Sequence, residues 1–117
     1  MPDKTILDIT NLEEAFEDDT AGIAELLEMA LETGRRLMGE LRDAIATGNA
    51  PNAARAAHSI KGSAANIGAM APSALAAALE QRARAGDLEG AADACTAIET
   101  AYAPVAAEIS AYRAAVS

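Results

Sequence analysis

Apolar residues recur along the chain in steps of three and four, the spacing of one helix face. From Thr20 to about Thr47 the stripe runs through Ile23, Leu26, Leu27, Ala30, Leu31, Leu37, Met38, Leu41 and Ile45, which predicts a long amphipathic helix ending near Gly48. Ahead of it, "TNLEEAFEDD" offers Asn11 as an N-cap, acids in the first turn and apolar Leu12, Ala15 and Phe16, a pattern that predicts a short leading helix. Behind it, "GNAPN" combines a glycine stop, a capping residue and Pro51, whose missing N–H suits a first turn, so a third helix is expected from Pro51 to about Ile67. A fourth begins near Pro72 and presents Leu75, Ala78, Leu79 and Arg82 up to Gly86. The last is predicted to start with Asp87 as its N-cap and to carry Leu88, Ala91, Cys95, Ile98, Tyr102, Val105, Ile109, Tyr112 and Val116. Pro104 lies inside that stripe and predicts a kink or break near Thr100.

Four substantial helices joined by short connections pack as antiparallel neighbours. The expected fold is all-α, an antiparallel up-down four-helix bundle with a short extra N-terminal helix, and 117 residues suit a single domain. Composition agrees: alanine dominates, Leu and Glu recur, and there are one Phe, two Tyr and no Trp.

Charge narrows the partners. The net charge is −9, and twelve of the eighteen acids precede Gly48, opposed there only by Lys4, Arg35, Arg36 and Arg42. Binding to nucleic acid, which needs clustered cations to neutralise phosphates, is not expected. The start, "MPDKTILDIT", lacks the basic segment and apolar run of a signal peptide, and Asn66, Gly68 and Pro72 interrupt the alanine-rich middle before it is long enough to span a bilayer. A cytoplasmic monomer with no membrane contact is the expectation, and the lone Cys95, on an apolar stripe, reads as a small buried hydrophobe.

The candidate chemistry lies in "AAHSIKGSAANIGA", which holds the only histidine, His58. At about 100° per residue, Ala53, Ala56, Ala57, Ile60, Ser63, Ala64 and Ile67 share the core face of the third helix, and His58 falls roughly 160° from Ile60. The histidine therefore faces outward, with Ala54, Arg55, Lys61, Gly62 and Ala65 as its helical neighbours. Gly62 in mid-helix costs about 1 kcal/mol relative to alanine, which suggests that the space beside the imidazole matters. Lys61, and Arg55 from the other side, place positive charge where a phosphoryl group on the ring would sit. Residues equidistant from an antiparallel turn lie level, so the turn at Gly68 and Ala69 brings Glu80 beside His58, with Gln81 as a rival. A carboxylate at Nδ1 would leave Nε2 unprotonated and aimed outward.

These residues carry a resemblance. "AHSIKGSAANIGA", followed by Leu79 and Glu80 and by "RAGDLEGA", resembles a histidine-containing phosphotransfer (HPt) domain from about Leu12 to the C-terminus. "HSIKG" with Glu80 is similar to the phosphoacceptor domain of chemotaxis-type histidine kinases. The resemblance implies that His58 is phosphorylated by a receiver-domain aspartyl phosphate or by a sensor histidine kinase, and passes the group on. It implies that Lys61 and Glu80 assist, and that Gly62 gives a response-regulator receiver domain room to approach, with Ala54, Arg55 and Ala65 around it. Alanine at many core positions and Pro104 depart from the family pattern and bear on packing.

No ATP site and no phosphate-binding glycine loop are recognisable, which suits a phosphoryl carrier without cofactors of its own rather than an enzyme, a divalent metal being expected in the receiver. Two rival readings differ in class. One is a helical adaptor that binds a receiver or kinase by shape, without phosphorylation. The other is a metal- or ligand-binding bundle, which needs several inward His or Glu residues.

Overall fold

The computed structural model describes residues 2–116. Its helices are α1 (Thr10–Ala15), α2 (Thr20–Ala46), α3 (Ala50–Asn66), α4 (Met70–Arg84) and α5 (Ala91–Val116). α2 packs on α3, α3 on α4, α4 on α5 and α5 back on α2, which closes an up-down four-helix bundle 43 Å long and 21 Å across. Short connections force the alternation: only Thr47, Gly48 and Asn49 separate α2 from α3, and Ile67, Gly68 and Ala69 separate α3 from α4.

Local chemistry sets the helix ends. Asp19 accepts from the Gly22 N–H at α2, and Asn49 accepts from the Asn52 N–H at α3, where Pro51 occupies the first turn. Two apolar clusters fill the interior. Leu41, Ile60, Leu79, Cys95 and Ile98 anchor one, Leu7, Ile23, Leu27, Val105 and Ile109 the other, and Tyr102 packs against both. Among the described residues no helix is long and apolar enough to cross a membrane.

Several expectations change. Asn11 does not cap α1; the Asp8 side chain accepts from the Thr10 N–H and hydroxyl just upstream, and of the three apolar residues expected on the core side only Leu12 is buried. Asp87 does not cap α5 either: it accepts from the Glu89 N–H within a turn, and the helix begins at Ala91. Pro104 does not break α5, which runs through it, because Ile98, Val105, Ile109 and Tyr112 are buried on both sides while the proline ring is exposed. Continued burial of that stripe outweighs the roughly 3 kcal/mol a mid-helix proline costs. On α4 the buried face is Pro72, Ser73, Ala76, Leu79, Glu80 and Ala83, whereas Leu75, Ala78 and Arg82 are exposed. A ranking by hydrophobicity misses a face whose inward edge carries an acid.

Candidate functional site

The site is built where α3 and α4 face each other. His58 projects from α3 with its side chain 58% exposed, while Glu80 on α4 is only 7% exposed. The ring Nδ1 lies 3.0 Å from Glu80 Oε2. An ionised carboxylate only accepts, so Nδ1 carries the proton and the lone pair of the neutral ring lies on Nε2. The turn centred on residue 69 does bring position 80 level with position 58, and the neighbouring Gln81 is exposed.

Glu80 has further partners. Lys61 Nζ lies 2.9 Å from Oε1, and Arg84 donates from Nε and Nη2 to Oε2 at 2.8 and 2.6 Å. The Lys61 ammonium, then the Arg84 guanidinium and the His58 ring, hold the carboxyl far below the usual range, at about 2, against burial, which pushes it up. Ser73, also buried, donates from its hydroxyl to the Lys61 carbonyl at 2.9 Å and ties α4 to α3 beside the site.

A carboxyl lowered by its folded surroundings stabilises the fold above its unfolded value and loses that contribution as pH falls through its folded value. Stability is therefore expected to drop between about pH 4.5 and about pH 2 as Glu80 gains its proton. Urea titrations across this range check it: Glu80→Gln should show a visibly shallower fall than the wild type, and equal slopes would mean that other carboxyls govern the acid limb.

The other expected site residues divide. Gly62 and Ala65 are exposed, and a Cβ built on Gly62 meets nothing within 4 Å. Arg55 is exposed and donates from Nη1 to Asn52 Oδ1 at 2.7 Å; it shares with His58 and Arg84 the rim of a shallow cleft between α3 and the end of α4. Ala54 is a correction: it is buried at 6% exposure in the core cluster, because the last turns of α4, with Ala83, close over that side of α3. Arg84 and Ser73 escaped the sequence reading. Arg84 was within reach of it, since a cation four residues after Glu80 lies on the same helix face; Ser73 gave no such signal.

A family model matches the chain over residues 25–108, and its description is the Hpt domain. The chain belongs to the Hpt domain family. The matched span runs from the first turns of α2 into α5 and contains His58, Lys61, Gly62, Glu80 and Arg84. Among solved structures the chain is similar to histidine-containing phosphotransfer protein B (HptB) from Pseudomonas aeruginosa PAO1, with 27% identity, a TM-score of 0.71, and coverage of 90% of this chain and 86% of that one. No curated protein sequence matches the chain. As an Hpt domain the protein is a histidine phosphotransfer intermediate of a phosphorelay.

Proposed function

We propose that His58 is the phosphoacceptor, and that the whole chain acts as one cytoplasmic, monomeric Hpt domain serving a response-regulator receiver domain, a sensor histidine kinase or both. The observation that carries this reading is the exposed imidazole whose Nδ1 is engaged by a buried, ionised carboxylate. In transfer from a receiver, the Nε2 lone pair attacks phosphorus, an N–P bond forms, and the acyl phosphate P–O bond breaks to release the aspartate carboxylate. The ring keeps its Nδ1 proton, so positive charge develops on the imidazole and Glu80 offsets it. The same charge makes the ring a good leaving group for the reverse step.

Lys61 uses one of its three donors on Glu80 and keeps the others for a phosphoryl oxygen. The metal expected in the receiver supplies the remaining charge compensation, and the protein itself acts as a carrier without an ATP site. Incubation with a labelled phospho-receiver should transfer label to this protein as an acid-labile, base-stable phosphoramidate. Absence of such label across receivers and kinases of the same cell would overturn the reading.

Gly62 gives the approaching partner its clearance. With open space around the Cβ position, Gly62→Trp should leave urea stability within about 1 kcal/mol of wild type, since leaving glycine favours a helix. Transfer from the receiver should nevertheless slow by about tenfold or more, as expected for a bulky group in the centre of an interface. Wild-type transfer rates in that variant would show that the space serves no partner.

A further inference from the structure

Glu80 Oε2 is shared unequally. The His58 ring takes it at 3.0 Å, and Arg84 takes the same oxygen twice, at 2.8 and 2.6 Å. Lys61 occupies the other oxygen. We infer that Arg84 is a positioning residue for phosphoryl transfer: by sharing Oε2 with the His58 ring, its guanidinium limits the carboxylate charge that reaches Nδ1 and so keeps the attacking imidazole neutral. The inference rests on His58 being the phosphoacceptor and adds a residue to that site.

A carboxylate beside an imidazole does two opposing things. It orients the ring through Nδ1, which transfer needs, and it stabilises the imidazolium, which has no free lone pair to attack with. Lys61 and Arg84 separate the two effects, because both cations offset part of the carboxylate charge while leaving its hydrogen bond to the ring in place. The charged groups facing the ring are Arg55 and Lys61 on its own helix and Glu80 and Arg84 on α4. α2, packed on another face of α3, contributes Arg36, Glu40 and Asp43 to a separate groove that Arg55 borders and His58 does not. Arg84 lies in the last turn of α4, where the helix dipole favours a cation, and it is 61% exposed on the rim of the cleft beside His58. A docking partner that covers this rim therefore meets the guanidinium and the ring together.

The test is a ring-resolved NMR titration of His58 in the full-length wild type, Arg84→Gln, Arg84→Lys and Arg82→Gln, with receiver transfer rates measured over the same pH range. Arg82, two residues away, is turned to the loop after α4, where it meets the Glu89 carbonyl, and serves as the control. Loss of one nearby positive charge should move the ring's titration midpoint in Arg84→Gln upward by roughly half a pH unit. The acid limb of the transfer profile should move with it, Arg84→Lys should titrate close to wild type, and Arg82→Gln should not shift. An unshifted midpoint in Arg84→Gln, or an equal shift in Arg82→Gln, would overturn the inference. The expected midpoints with no phosphoryl uptake by any variant would instead uphold the hold of Arg84 on the ring and sink the phosphoacceptor assignment.

Discussion

His58→Gln is expected to take up no phosphoryl group from a labelled phospho-receiver, down to the detection limit, while folding as the wild type does. Both halves follow from position. The imidazole is the sole histidine of the chain, so no second ring can substitute as the nucleophile. Its side chain is 58% exposed and makes one hydrogen bond, to an acid that Lys61 and Arg84 continue to hold when the ring is gone. Removing it creates no cavity and leaves Glu80 paired, so the urea midpoint should move little. Label retained at wild-type level in a folded His58→Gln protein would place the phosphoryl group on another residue and dismantle the site as described.

Gly68→Ala should produce the largest loss of stability, about 3 to 5 kcal/mol by urea denaturation, from a left-handed backbone, a lost backbone hydrogen bond and partly exposed core residues. Gly68 ends α3 with φ at +76°, and a Cβ built there would lie 1.8 Å from the Asp8 carbonyl oxygen. The collision is with backbone: the Asp8 N–H donates to the Gly68 carbonyl at 3.1 Å and seats the N-terminal segment, whose Leu7 and Ile9 are buried in the core. Neither side can yield without lifting that segment. Gly48 is the control, since its φ is +69° but nothing lies within 4 Å of its Cβ position. Gly48→Ala should cost only the left-handed conformation, about 1 to 2 kcal/mol. Equal losses at the two glycines would mean that the N-terminal segment adds nothing to stability.

The outward turn of His58 was legible because two residues of helix rotate by about 200°, so a core Ile60 sends position 58 to solvent. The level pairing of positions 58 and 80 was legible as well, because a tight antiparallel turn acts as a mirror. The face of α4 was harder to read. Leu75 has the spacing of a core residue and is 39% exposed, while Glu80, expected level with the ring, is also buried, at 5% exposure. Hydrophobicity along a helix does not reveal that three cationic or hydrogen-bonding partners from two helices will converge on one acid.

Helix order, the number of helices in the bundle and the identity of the outward histidine were determined by the sequence alone, because each depends on local periodicity and short connections. The depth of Glu80, the burial of Ala54 and the division of Oε2 between His58 and Arg84 were decided only by tertiary structure. Ala53, Ala57, Ala76 and Ala83 are all buried in one core cluster, and side chains this small let α3 and α4 pack closely. The turn sets positions 58 and 80 level, and that close approach then brings the Glu80 carboxylate within hydrogen-bond reach of a ring and an ammonium on the opposite helix.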